Sequence, residues 1–137
     1  KNHIIKLNKK ICRLIKIIII QMEFKMAIII RSDLNMSKGK ILAQVSHAMV
    51  EATLKAYTGT TMFYKWQADG EKIVVLKVTN EKTLDTIIEI ANRKGVKNGI
   101  VVDAGLTEVS PGTKTVGFVG PDKSDKIDKL VGQLKLY

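Results

Sequence analysis

Ala27-Ile28-Ile29-Ile30 is an uninterrupted apolar run, closed at once by Arg31-Ser32-Asp33. A run without polar alternation has no face to give to water. It reads as a strand buried on both sides, as α/β domains place at their centre. Ser37 follows as a cap for a helix over 38–58, with Gly59 as its stop. Ile41, Val45, Ala48, Met49 and Ala52 recur at helical spacing and give that helix an apolar face. The alternation then repeats. A β-rich run covers 72–78, and Asn80 caps a helix carrying Leu84, Ile87, Ile88 and Ala91, ended by Gly95. Runs at 99–102 and 115–119 supply two more strands, and Ser124 or Asp125 opens a last helix with Ile127, Leu130 and Val131, stopped by Gly132. The tail, 134–137, alternates like a short edge strand. The expected class is α/β: a three-layer α/β/α domain around a small, mostly parallel mixed sheet of about four strands. No repeat or Ser/Pro-rich linker divides residues 25–137, which read as one domain.

Charge is where composition matters. Lys and Arg number 23 against 13 Asp and Glu, a formal net charge of +10. That excludes an acidic disordered chain and makes a polyanion, nucleic acid or anionic membrane, the first partner to weigh. The excess is uneven, because residues 1–26 hold seven basic residues against Glu23 alone. Residues 1–24 are therefore set apart as a basic Ile/Lys-rich leader, non-native or disordered, with an added strand or helix and a surface anchor as alternatives. Arg13 and Lys16 interrupt its apolar run, whereas a membrane span needs about 20 apolar residues. Gln21-Met22-Glu23-Phe24 is no signal-cleavage site, so a membrane partner is not expected. Cys12 is the single cysteine, and His3 and His47 are the only imidazoles. No disulfide, metal or other cofactor is expected, and a reducing cytoplasmic compartment fits.

Two constellations carry possible chemistry. Ser37-Lys38-Gly39-Lys40 heads the first core helix, where free N–H groups and two lysines favour an anion. It is not a Walker A loop, since Lys40 precedes Ile41 and no Gly stands five residues before Gly39. Lys40, Gln44, His47 and Glu51 share one side of that helix, near the carboxyl end of the first strand, where open α/β sheets place their sites. Two solvated lysines and a loop-bonding Gln44 and His47 are the plainer reading, and spacing leaves both open. Asp103 follows the strand at 99–102 and leads Ala104-Gly105-Leu106-Thr107, then Pro111-Gly112-Thr113-Lys114-Thr115. A carboxylate there can act as a general base beside threonine hydroxyls, or it can merely cap the turn. Phe63, Tyr64 and Trp66 can stack on unpaired bases, but packing on the sheet is the simpler use. No G-x-S-x-G elbow is present.

The segment Lys25-Met26-Ala27-Ile28-Ile29-Ile30-Arg31-Ser32-Asp33-Leu34-Asn35-Met36-Ser37-Lys38-Gly39-Lys40, with Gln44-Val45-Ser46-His47-Ala48, closely resembles the archaeal and eukaryotic type of peptidyl-tRNA hydrolase. The likeness continues through Trp66, Gly70, the 103–107 and 111–115 motifs, Gly120-Pro121 and Leu134-Lys135-Leu136. It implies a metal-independent esterase, often a homodimer, that cleaves peptide from the 3′ ribose of peptidyl-tRNA. By the same resemblance Lys40, Asp103, Thr107 and Thr115 are the catalytic set, and Gln44 and His47 line the cleft. Arg31, Lys38 and Lys114 are the basic residues expected to hold the acceptor end of the RNA. A non-catalytic RNA- or protein-binding adaptor on the same fold is the alternative. Two departures stand out: Ser37 where Gly is common, and Glu108 where Gln is frequent.

Overall fold

The computed structural model describes residues 1–21, 23–59, 61–105 and 108–137. Ten elements follow one another: α1 (Asn2–Gln21), β1 (Phe24–Arg31), α2 (Lys38–Gly59), α3 (Met62–Ala68), β2 (Ile73–Val78), α4 (Glu81–Arg93), β3 (Asn98–Val102), β4 (Lys114–Lys123), α5 (Ser124–Val131) and β5 (Lys135–Leu136). The five strands form one sheet in the order β3-β4-β1-β2-β5, so the apolar run of β1 is the central strand. Its alternation splits the core in two. Met26, Ile28 and Ile30 pack with Ala48, Ala52, Trp66 and Phe118 on the α2/α3 face. Ala27 and Ile29 pack with Leu84, Ile87, Ala91, Ile127 and Leu130 on the α4/α5 face. Both faces of β1 are covered, as the missing alternation requires.

The three layers agree with the sequence, but the sheet is mostly antiparallel rather than mostly parallel. Only β1 and β2 pair in parallel, with Ile28 opposite Val75. β4 runs antiparallel to both β1 and β3, and β5 runs antiparallel to β2. The cause lies in the connections. Helical crossovers after β1 and β2 return the chain in the same direction. Among the described residues no helix separates β3 from β4, and β4 turns back and inserts antiparallel between β3 and β1. Strand–helix order in a sequence fixes direction at each crossover; it does not reveal that a later strand will wedge between two earlier ones. β5 is the fifth strand, at the edge where the tail alternation put it.

Local chemistry explains the boundaries near the site. Ser37 Oγ accepts the Lys40 N–H at 3.2 Å and caps α2. Asn80 Oδ1 accepts the Thr83 N–H at 2.7 Å and caps α4. The aromatic segment forms α3; Trp66 is buried and its indole N–H donates to the Lys72 carbonyl at 2.9 Å. Phe63 lies partly buried against the same core, while Tyr64 is exposed. Packing therefore accounts for two of the three rings. Residues Asn2–Gln21 are helical. Among the described residues no helix is long and apolar enough to cross a membrane.

Candidate active site

β1 and β3 end on the same side of the sheet, and β4 begins there. This brings the start of α2 beside the segment that leaves β3. α2 presents three faces: Ile41, Val45, Ala48 and Ala52 to the core, Leu42, Val50, Leu54 and Tyr57 to solvent, and a polar strip between. Lys40, Gln44, His47 and Glu51 of that strip line an open cavity of about 500 Å³ with Asp103 opposite. Ile100, Val102 and Ala43 form its apolar part.

Asp103 is the most constrained group in the cleft. Its side chain is 7% exposed, and Oδ1 lies 2.5 Å from the Lys40 ammonium, itself 12% exposed. Oδ2 accepts the Gly105 N–H at 2.7 Å. Main-chain bonds from Asp103 N–H to the Thr113 carbonyl and from Gly112 N–H to the Asp103 carbonyl, each 2.9 Å, close the loop around it. The bond to Lys40, then the bond from Gly105, hold the carboxyl below its ordinary value of 3.8. Gly105 is obligatory. Its φ is +76°, and a Cβ there would stand 2.3 Å from the Pro111 backbone.

Thr115 is fully buried. Its hydroxyl accepts the Gln44 amide N–H at 2.7 Å and donates to the Val101 carbonyl at 3.2 Å. One threonine thereby locks α2, β3 and β4 together immediately beneath the cleft. Thr107, the other expected threonine, lies outside the described residues, as does Leu106. Glu108 is engaged by Ser37: the Ser37 side chain first, then its N–H donated at 2.7 Å, hold the carboxyl below its ordinary 4.5. The anion that the start of α2 attracts is thus the chain's own.

The three expected RNA contacts are disposed differently. Lys38 is exposed in the first turn of α2. Arg31 is 11% exposed, forks onto Asp33 through Nε at 3.1 Å and Nη2 at 2.6 Å, and donates Nη1 to the Lys114 carbonyl at 3.1 Å. The Lys114 ammonium reaches α4 and pairs with Asp85 at 2.9 Å and Glu81 at 3.9 Å. Asp85 and Glu81 come from α4, and neither spacing nor motif marks an acidic partner contributed by another element. Among the described residues no three His, Cys, Asp or Glu side chains group as a metal site would.

The family model of Peptidyl-tRNA hydrolase PTH2 matches residues 24–137. The chain belongs to this family. It is 43% identical over 113 residues to a Peptidyl-tRNA hydrolase of Haloquadratum walsbyi, covering 82% of this chain and 99% of that protein. A Peptidyl-tRNA hydrolase of Methanocaldococcus jannaschii is 45% identical over 113 residues, 82% of this chain and 98% of its own. The Homo sapiens protein named Peptidyl-tRNA hydrolase 2, mitochondrial is 40% identical over 116 residues, 84% of this chain and 65% of that protein. The match begins at β1, so α1 lies outside it.

Proposed function

We propose that this chain hydrolyses the ester between a nascent peptide and the 3′ ribose of tRNA, recycling tRNA from stalled translation in the cytoplasm. The observation that carries the mechanism is the Lys40–Asp103 pair at the cleft of a family member. A general base works best with a pKa near the operating pH, and Asp103 is held below 3.8. Its role is therefore to orient the attacking water and, as the acyl bond to the ribose 3′ oxygen breaks, to pass the water's proton on to that leaving oxygen rather than to hold it. Each Asp103 oxygen has already accepted one bond and keeps a lone pair for that water. Lys40 stabilises the negative charge that develops on the ester oxygen.

Water is the nucleophile in this reading. Thr115 has no exposed surface and its hydroxyl proton is engaged with Val101, so it positions Gln44 and the strand end rather than attacking. Thr107 keeps a positioning role on the strength of the family motif alone. Gln44 and His47 line the cleft that takes the terminal ribose and its acyl group. Lys38 holds an acceptor-end phosphate; the Lys114 ammonium is engaged by Asp85 and Glu81, and Arg31 donates to the Lys114 carbonyl. The expected homodimer has a matching surface in the exposed Leu42, Val50, Leu54 and Tyr57 stripe.

The test is release of peptide from a defined peptidyl-tRNA in the presence of a metal chelator. Turnover by the wild type and its loss in Asp103→Asn support this function. An adaptor would bind the same tRNA without turnover, and Asp103→Asn would leave its binding unchanged.

A further inference from the structure

The element outside the family match carries its own chemistry. In α1, Ile4, Leu7, Ile11, Leu14 and Ile15 fall within a sector about 100° wide. Each is exposed, from 45% at Ile11 to 63% at Ile4. Lys6, Lys9, Lys10, Arg13 and Lys16 occupy the opposite side, and residues 1–21 contain no Asp or Glu. Every described side chain of α1 is solvent-exposed, so none of this apolar surface is covered by the domain.

We propose that α1 lies in the interface of an anionic lipid bilayer, its Ile/Leu stripe among the acyl chains and its Lys/Arg side on the headgroups. The two faces select this occupant together. A second copy would have to pair apolar seams flanked only by positive charge, which repels where coiled coils place complementary charges. RNA would neutralise the cations but leave the apolar stripe in water. An anionic membrane surface satisfies both faces, as basic amphipathic helices do when they lie flat at the headgroup boundary. The helix does not cross: the five cations along its length interrupt any apolar span, and no described helix meets the requirement. Folded, the Ile4/Leu7/Ile11/Leu14/Ile15 stripe stands apart from the cations, while Ile5 and Ile17 border the basic side. Only residues 22 and 23 separate α1 from β1, so the sheet is held close to the surface that α1 enters.

The full chain is tested by co-sedimentation with phosphatidylcholine vesicles with and without phosphatidylglycerol. Cys12, the only cysteine, lies exposed on α1 and takes an environment-sensitive fluorophore. Expected is binding at least about tenfold stronger to the anionic vesicles, weakened by salt, with a blue shift at Cys12. Leu7→Gln/Ile11→Gln/Leu14→Gln and Lys9→Gln/Lys10→Gln/Arg13→Gln, all exposed changes, each lower that binding about tenfold or more. Neither triple variant alters peptide release from soluble peptidyl-tRNA, so this result and the proposed activity stand or fall separately. Indifference to lipid charge, or vesicle binding that survives loss of the apolar stripe, overturns the proposal. So does an oligomer that the Leu7/Ile11/Leu14 variant abolishes, or tRNA affinity lost with the basic variant while vesicles remain unbound.

Discussion

Asp103 and Lys40 make one functional unit, and their pairing has a pH signature. Because the Asp103 pKa is lowered in the folded chain, the ion pair contributes stability above the ordinary 3.8 and loses it as pH falls through the lowered value. Peptide release across roughly pH 5 to 8 therefore has no acid limb from Asp103. Lys40→Met removes the first cause of the shift, so its residual activity acquires an acid limb at higher pH than the wild type. Identical acid limbs in the two proteins would show that Lys40 does not hold Asp103 ionised. Asp103→Asn lowers kcat by about 10²-fold or more, the scale of a lost group that orients and activates water. Thr115 separates positioning from attack. Thr115→Val leaves the buried Gln44 amide unsatisfied and destabilises the fold by about 1–3 kcal/mol. Thr115→Ser keeps a hydroxyl and restores kcat, with stability lowered only by the missing methyl. Helical spacing put Lys40, Gln44, His47 and Glu51 on one side but left their use open; the family resemblance, not spacing, pointed to Asp103 and Thr115. Pairings between elements were not legible: nothing in the sequence says that Ser37 meets Glu108, or that the Lys114 ammonium turns to Asp85.

At the scale of elements, the sequence identified β1, α2, α4 and α5 because each is patterned by a single burial problem. β1 is apolar on both faces, and α4 places Leu84, Ile87, Ile88 and Ala91 on one side. α3 escaped because Met62–Ala68 is too short for a helical period to stand out. Sheet direction escaped because pairing is decided between elements far apart in the chain, as when β4 sets Phe118 opposite both Ile28 and Gly99. α2 is the element whose third face has no core to cover. Leu42, Val50, Leu54 and Tyr57 are 57–66% exposed, a stripe of the kind that marks interaction surfaces. If a second copy covers it, Val50→Arg/Leu54→Arg moves the sedimentation coefficient from dimer to monomer while the melting temperature of the domain holds. A wild-type monomer at working concentration would remove the homodimer from the proposal. Asn80→Ala, which deletes the α4 cap, destabilises by about 1 kcal/mol in denaturant melts.

Across the whole molecule, the net charge of +10 divides between two structures with different uses. The N-terminal share is spread along α1, outside the segment that matches the family. In the domain the cations that border the cleft are already paired, Lys40 with Asp103, Arg31 with Asp33 and Lys114 with Asp85. RNA affinity must then come from few phosphate contacts, since each neutralised phosphate contributes about 0.7–0.9 to the slope of log affinity against log salt. Lys38, exposed in the first turn of α2, is expected to be one of them. Lys38→Gln is expected to weaken tRNA binding for all tRNAs alike and to reduce that slope by about 1, with kcat at saturating substrate unchanged. Measuring the slope on the full chain and on the Lys9→Gln/Lys10→Gln/Arg13→Gln variant separates the two shares of charge. If α1 serves the membrane, its neutralisation leaves the tRNA slope where it was, and only Lys38→Gln lowers it. A slope that falls with the α1 variant and ignores Lys38 would place the RNA on the N-terminal helix instead of at the Lys40–Asp103 cleft.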